Sequence, residues 1–344
     1  MNSDTGRNSQ PGDSQPGDAE SREPNELVRT QEFDTPGPIV VDVGNSLGAI
    51  NVELAETVTT HVEIRHDSAG GGPEWRTGLS GLLNWVGGQI SEAGRRGGLG
   101  AGGLGAGGFG GGLGDRAFGD RGPGEPIAEA VRQTTIDFTG GNRLSVRAPS
   151  TVPLRTVPLA ITVRAPEETE VSVRSTGGDV RVTGPASRAR VESGGGAVSV
   201  ERAGGNAVAR TGSGALRLGE MGAGVQARSG GGDVEIASVG AASSVVTGSG
   251  SVWLGAVHAD VLVRSGSGDI TISEAARGQT ELITGSGELR VAVRRGVTAE
   301  VDLTSTTGSA HSDLEVSAEP AEDEPPLRIF GRTGSGDALL TSAG

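Results

Sequence analysis

The chain of 344 residues contains 62 glycines, five phenylalanines, three tryptophans and no tyrosine, which excludes a globular core built from large aromatic side chains. Its formal net charge of -14 at pH 7 argues against binding to DNA or RNA, because phosphate neutralisation requires a basic face. The absence of cysteine excludes disulfides, thiolate metal sites and cysteine nucleophiles.

The first segment, residues 1–35, is rich in Ser, Gln, Pro, Gly and Asp and carries a tandem Ser-Gln-Pro-Gly-Asp at Ser9–Asp13 and Ser14–Asp18. Such a composition buries too little apolar surface to offset chain entropy, so a disordered tail is predicted. The tail has no apolar signal region, and no later stretch is long and apolar enough to span a bilayer. A cytoplasmic protein is therefore expected, with peripheral attachment to a membrane as an alternative.

Residues 36–67 are predicted to form the first strands of the fold. Aliphatic residues alternate here with polar or small ones, which is typical of half-buried strands. The alternating positions are Val41, Val43, Ile50, Val52, Leu54, Val62 and Ile64.

Residues 68–130 are predicted to form a flexible insertion, because they are rich in glycine, above all between Gly97 and Gly114. Inside it, apolar residues at helical spacing predict a short amphipathic helix, weakened by its internal glycines. Two roles are open for this helix: it caps one end of the fold, or it contacts a membrane surface or a partner protein. The candidate contact residues are Trp75, Leu79, Leu82, Leu83, Trp85, Val86 and Ile90.

Residues 131–344 contain an internal repeat with a period of about 18 residues, marked by a Gly-rich turn. The last glycines of successive turns are Gly178, Gly196, Gly214, Gly232, Gly250 and Gly268, and Gly287 follows with a single extra residue in its repeat. A diverged copy covers Gly308–Val316, a terminal copy lies at Gly334–Asp337, and an early copy lies at Gly48–Val52. Glycine is expected where the backbone adopts positive φ and packs against the same turn of the next coil.

Aligned by this period, the copies form chemically uniform columns. Two aliphatic columns follow the turn: Val180, Val198, Leu216, Val234, Val252, Ile270 and Leu289; and Val182, Val200, Leu218, Ile236, Leu254, Ile272 and Val291. A third inward column is Pro185, Ala203, Met221, Val239, Val257 and Ala275, and a second strand contributes Val191, Ala209, Ala227, Val245, Val263 and Leu282. A hydroxyl column precedes the turn: Ser193, Thr211, Ser229, Thr247, Ser265 and Thr284.

These columns predict an all-β, single-stack β-solenoid, or β-helix, with about 18 residues per coil. Each coil is too thin to bury its own apolar face, so stability comes from stacking on the next coil, about 4.8 Å away. The pattern leaves the handedness open.

The segment Ile161–Pro166, then Val171–Arg174 and Thr176–Val180, followed by Gly-Ser-Gly-Asp turns, resembles the bacterial "putative adhesin" domain family of unknown function. The resemblance covers roughly Ile39–His66 and Val131–Gly344. It implies a β-helical domain, found on surface-associated and cytoplasmic proteins alike, and it implies no catalytic residues.

The carboxylates of the turns are the first candidates for chemistry along the repeat. Asp179, Asp233 and Asp269 follow glycine directly and share their column with Ala197, Ala215 and Ser251, which cannot supply a calcium ligand, so these carboxylates are expected to accept turn amides. The histidines are too scattered for a metal site. No cofactor, metal or catalytic residue is predicted, and calcium is not expected.

A surface stripe is the remaining candidate, formed by Arg174, Arg210, Arg228, Arg264 and Trp253, with Glu192 and Val246 interrupting the arginines. It is either a solvated face or a docking stripe for an anionic partner. The function expected is a non-enzymatic, adhesin-like scaffold or interaction module for an unknown protein or membrane-surface partner. The alternatives are a cell-surface adhesin or glycan-binding protein, and a polysaccharide-cleaving solenoid enzyme, which uses exposed carboxylates with aromatic sugar platforms.

Overall fold

The computed structural model describes residues 27–68, 125–314 and 326–344. These residues form a β-solenoid of two facing sheets: sheet A with 13 strands and sheet B with 12. One α-helix, α1 (Glu125–Gln133), and a 3-10 turn (Leu154–Thr156) complete the described part.

The strands in chain order are β1 (Val28–Asp34), β2 (Val40–Asn45), β3 (Ile50–Ala55), β4 (Thr59–His66), β5 (Thr135–Thr139), β6 (Arg143–Arg147), β7 (Leu159–Pro166), β8 (Glu170–Ser175), β9 (Val180–Ala186), β10 (Arg188–Ser193), β11 (Val198–Ala203), β12 (Ala207–Thr211), β13 (Leu216–Met221), β14 (Val225–Ser229), β15 (Val234–Val239), β16 (Ser243–Thr247), β17 (Val252–Val257), β18 (Val261–Ser267), β19 (Ile270–Ala275), β20 (Gly278–Ser286), β21 (Leu289–Val293), β22 (Ala299–Ser305), β23 (Ala310–Ser312), β24 (Leu327–Ser335) and β25 (Ala338–Ser342).

Each coil of the stack contains one strand of sheet B, the Gly-rich turn, one strand of sheet A and a second turn. Val198, Leu216 and Val234 pair directly across parallel strands of sheet A, and Val191, Ala209 and Ala227 do so in sheet B. One period of the sequence repeat therefore places equivalent side chains over one another, which confirms the predicted solenoid. A dozen strands at about 4.8 Å give a stack roughly 50 Å long.

The core lies between the two sheets and is made of the predicted aliphatic columns. Both columns that follow the turn are at most 3% exposed throughout, so the strands that contribute them are held by burial of small and medium-sized aliphatic side chains. One prediction is wrong: Pro185 is half-buried, and Ala186 occupies its place opposite Ala203. A β-bulge at Gly184, whose φ is 82°, adds one residue to β9 and shifts the register.

Close packing explains the glycines of the turn. A Cβ on Gly214 would lie 2.1 Å from the carbonyl oxygen of Gly196 in the preceding coil, whereas a Cβ on the middle residue Gly231 would meet nothing closer than Ser249 Oγ at 3.6 Å. The third turn position therefore requires glycine. The first position requires it in the middle coils, where a Cβ on Gly212 would lie 2.1 Å from the Gly194 carbonyl oxygen, whereas Thr176 and Thr306 occupy it near the two ends. The middle position accepts serine. The sequence also predicted positive φ at the turn glycines. Among the glycines at the third turn position, Gly48, Gly268, Gly287 and Gly336 have positive φ.

The hydroxyl column ties turns to the preceding coil. Thr211 Oγ1 accepts a hydrogen bond from the Gly214 amide at 3.1 Å and donates to the Gly196 carbonyl at 3.1 Å. The same pair of bonds recurs at Ser193 and Thr247. Because these side chains are buried, each hydroxyl satisfies one turn donor and one turn acceptor that water does not reach.

At both ends of the stack the spatial order departs from the chain order. The coil β2/β3 lies between β6/β7 and β8/β9, and the coil β24/β25 lies between β20/β21 and β22/β23. Antiparallel strands β1, β4 and β5 close the N-terminal end, where the Phe33 and Phe138 rings lie 4.8 Å apart and join the two sheets. The outermost coil at the other end, β22/β23, is more exposed.

Two predicted boundaries differ from the structure. The predicted disordered tail of residues 1–35 ends in an ordered strand, β1, because β1 pairs with β4 and Thr35 is buried. The predicted insertion of residues 68–130 ends in helix α1, which packs Ala128, Ala130 and Val131 inward. Over the described ranges, no helix combines the length and apolar character needed to cross a bilayer.

Candidate functional site

The outward columns of the two sheets are the candidate binding surfaces, because the inward and turn columns are committed to the fold. On sheet B the predicted arginines do share one column. Parallel pairing places Arg174, Glu192, Arg210, Arg228, Val246 and Arg264 side by side in that order. All four arginines are exposed. We call this column the sheet B stripe.

Carboxylates neutralise the arginine charge at the two ends of the sheet B stripe but not at its centre. Arg174 lies 3.5 Å from Glu192 and Arg264 lies 3.6 Å from Glu281. Glu192 is also next to Arg210 in register, but its carboxylate pairs with Arg174 and Arg190. Among the described residues, no ion pair joins Arg210 or Arg228 to a carboxylate. These two arginines are adjacent in register, and like charges directly opposite each other on a sheet repel. An anion between them would relieve that repulsion and accept hydrogen bonds from both guanidinium groups.

A groove of about 420 Å³ lies beside the stripe, where the same strands begin. Exposed polar side chains line it: Glu170, Arg188, Arg190, Asn206 and Gln226. Arg190 shares Glu192 with Arg174. The groove therefore extends the cationic surface across the strands of sheet B. This groove was not predicted from the sequence, although Arg188, Asn206 and Gly224 follow one another at the period of the repeat.

Trp253 does not belong to the sheet B stripe, contrary to the prediction. It lies on β17 in sheet A, paired with Glu235 and Thr271, and faces outward with 42% of its surface exposed. The two sheets enclose the core between them, so Trp253 and the arginines face opposite directions. The surface stripe of the sequence analysis is therefore two separate surfaces.

The carboxylates that follow the turn glycines accept backbone amides, as expected. Asp179 and Asp233 each accept the amide of the equivalent residue in the next coil, Ala197 and Ser251, at 2.8 and 2.9 Å. Asp337 accepts the Ser309 amide and hydroxyl, and these bonds hold the pKa of its carboxyl below the usual value. In the described ranges, no group of three or more His, Asp or Glu side chains is placed to hold a metal ion.

The other predicted contact residues, Trp75, Leu79, Leu82, Leu83, Trp85, Val86 and Ile90, lie outside the described residues. Their role as a membrane or partner contact stays a prediction. Both described neighbours of this segment, β4 and α1, lie at the closed N-terminal end of the stack and contact each other.

Residues 138–335 match the family model Toastrack DUF4097. Among curated proteins, none matches this sequence. Similar solved structures include a "putative adhesin" from Bacteroides fragilis, with 13% identity over 92% of this chain and 98% of that chain and a TM-score of 0.42. Others are a "putative cell adhesion protein" from Clostridium sporogenes, with 9% identity over 92% and 99% of the two chains and a TM-score of 0.20, and a "putative adhesin" from Parabacteroides merdae, with 9% identity over 91% and 97% and a TM-score of 0.25.

Proposed function

The chain belongs to the Toastrack DUF4097 family, and we propose that it is a non-enzymatic, adhesin-like binding module that holds an anionic partner against the outer face of sheet B. One observation carries this proposal: Arg210 and Arg228 are adjacent, exposed and without a carboxylate partner among the described residues. The chain as a whole has a formal charge of -14, so a cationic face is a local departure from its overall charge.

The geometry of the sheet B stripe favours an extended partner. Successive arginines are one or two coils apart, which corresponds to about 5 or 10 Å along the axis. A guanidinium binds carboxylate or phosphate groups through paired N–H donors. A partner with acidic groups at similar intervals would therefore contact several coils at once.

Retention on beads tests this proposal. We expect the full chain to bind beads coated with poly-L-glutamate and to pass over dextran-coated beads, with retention that falls as NaCl is raised, because exposed charges are screened. The double variant Arg210→Glu/Arg228→Glu should lose on the order of ten-fold or more in affinity.

A matched control separates a local site from net charge. Arg181→Glu/Arg290→Glu makes the same change in charge on sheet A, where both arginines face outward. It should bind poly-L-glutamate like the wild type. Equal losses in the two double variants, or no retention of the wild type, would remove the sheet B stripe as a binding surface.

Two further parts of the proposal have their own tests. Release of reducing ends from polysaccharides by the full chain would contradict a non-enzymatic role. The cytoplasmic location stays a prediction, and recovery of tagged protein outside intact cells would contradict it.

A further inference from the structure

The indole of Trp253 forms a flat apolar surface on sheet A. Gly255 belongs to the same outer face, two residues along β17, yet it is buried. A Cβ built on Gly255 would lie 2.2 Å from the Ala237 carbonyl oxygen of the neighbouring coil and 3.2 Å from Trp253 Cη2. The ring therefore lies along its own strand over Gly255, and its exposed part faces solvent. The close approach of the Ala237 backbone requires glycine at this position, and the edge of the indole also lies near it.

Polar side chains follow the indole along the solenoid axis. Glu235 pairs with Trp253 in register, and Arg217 pairs with Glu235 in the next coil. Arg217 Nε lies 3.4 Å from Glu235 Oε2, and both side chains are more than half exposed. The ion pair orients a planar guanidinium and a planar carboxylate that retain free donors and acceptors toward solvent.

These residues line a groove of about 370 Å³ that we call the Trp253 groove. It runs from Arg181 on β9 to Trp253 on β17, four strand spacings or roughly 19 Å. Its floor includes the small residues Gly219 and Ala237. Two arginines and two glutamates line it, Arg181, Arg217, Glu201 and Glu235, so its charges balance, in contrast to the sheet B stripe.

We propose that the Trp253 groove binds an uncharged oligosaccharide that lies along the solenoid axis. One face of a pyranose ring is a plane of C–H groups that packs on an aromatic face, while its hydroxyls both donate and accept hydrogen bonds. The groove offers an aromatic plane at one end and an orienting Arg–Glu pair beside it. The balanced charges of the groove complement a neutral ligand. A protein partner fits less well, because the core of a protein–protein interface contains more apolar side chains than the single tryptophan found here.

This site lies on the opposite face from the sheet B stripe and is independent of the function proposed above. Calorimetric titration of the full chain with cellohexaose, xylohexaose and maltohexaose tests it, with hexagalacturonate as the charged comparison. We expect at least one neutral hexasaccharide to bind. Trp253→Thr should weaken that binding on the order of ten-fold or more, because a few residues, tryptophan prominent among them, carry most of the affinity of a contact.

Threonine is chosen because Thr271 occupies the same column in the next coil. Arg290→Thr is the matched control: it places the same side chain in the same column, two coils beyond Trp253 and outside the Trp253 groove, and it should bind like the wild type. If Trp253→Thr lowers the melting temperature, Trp253→Phe provides the second test, because it keeps an aromatic plane and should retain binding.

Four results would overturn the proposal. The first is that no neutral hexasaccharide binds the wild type. The second is that Trp253→Thr binds the sugar like the wild type. The third is that hexagalacturonate alone binds and the Arg210→Glu/Arg228→Glu variant abolishes that binding, which would assign the sugar to sheet B. A protein complex that depends on Trp253 while no sugar binds would also reject it.

Discussion

Replacement of Gly214 by alanine tests whether close packing of turns sets the repeat. The added Cβ would lie 2.1 Å from the Gly196 carbonyl oxygen, 2.4 Å from the carbonyl carbon and 2.8 Å from the Ala197 amide nitrogen. All three atoms belong to the backbone, so no side-chain rotation removes the overlap. The two coils must move apart, or the turn must distort.

We expect Gly214→Ala to lower the free energy of unfolding by about 1–3 kcal/mol, the range for overpacking in a well-packed interior. For a domain of this size that corresponds to a fall of about 2–12 °C in melting temperature. Gly231→Ala is the matched control, since its Cβ would have 3.6 Å of clearance from Ser249 Oγ. It should be neutral or stabilising by up to about 1 kcal/mol, because alanine restricts the unfolded chain.

Thermal and urea unfolding, followed by far-UV circular dichroism, compare the two variants with the wild type. Solenoids can unfold in more than one step, so the comparison uses the midpoint of each transition. Equal midpoints for Gly214→Ala and Gly231→Ala would refute the steric explanation of the Gly-x-Gly turn. A larger loss for Gly231→Ala would reverse the assignment of the three turn positions.

Other predictions concern the hydroxyl column, the acid response and the inserted coil. Thr211→Val should lower the free energy of unfolding in urea by about 1–3 kcal/mol, because it leaves the Gly214 amide and the Gly196 carbonyl unpaired. Thr211→Ser keeps both bonds and should lower it less. Equal losses in the two variants would contradict this. Because the pKa of Asp337 is lowered in the folded state, its carboxylate stabilises the fold above the unfolded pKa of about 3.9, and this effect is lost as pH falls through the folded pKa. Asp337→Ala should therefore show a smaller fall in melting temperature between pH 5 and pH 2 than the wild type, and an unchanged slope would count against this. Leu340 lies in the inserted coil and is 2% exposed, so Leu340→Ala should lower the free energy of unfolding by about 2–5 kcal/mol. Val301 lies in the outermost coil and is 38% exposed, so Val301→Ala should lower it by less than about 1 kcal/mol. Similar losses in the two variants would argue against the insertion of β24/β25.

The middle of the stack could be predicted from the sequence because there consecutive repeats of the sequence form consecutive coils of the stack. Val198, Leu216 and Val234 are one repeat apart and directly paired, so aligning the repeats reproduces the register. A local insertion breaks this equality. At β9 the bulge at Gly184 moves Ala186 into the place predicted for Pro185, and nothing in the apolar pattern distinguishes these two small residues.

The ends could not be predicted in this way. Leu289 pairs with Ala338, well beyond the position that the next repeat would occupy, and Ile50 pairs with Val180. Both pairings join segments that are distant along the chain, and the period of the repeat contains no information about which distant copy is the neighbour. The order of the end coils is therefore a property of the assembled stack and not of the repeat.

The candidate site was predicted in part. Alternation within a strand correctly places Arg210 and Trp253 outward, but alternation does not identify the sheet. The turn does: Arg210 precedes Gly214 and lies in sheet B, whereas Trp253 follows Gly250 and lies in sheet A. Sorting outward residues by their side of the turn would have separated the two surfaces from sequence alone.

The same geometry explains why the two faces can carry different chemistry. Inward and turn positions have little freedom, since a single added Cβ at Gly214 meets backbone at 2.1 Å. Outward positions contact mainly their column neighbours, and the column that holds Trp253 also accepts Arg217, Glu235 and Thr271 without a change of register. Substitution in one outward column of sheet A leaves sheet B unaltered, because the shared core lies between them. Ligand preference on the cationic face and on the Trp253 groove can therefore change independently while the stack stays the same.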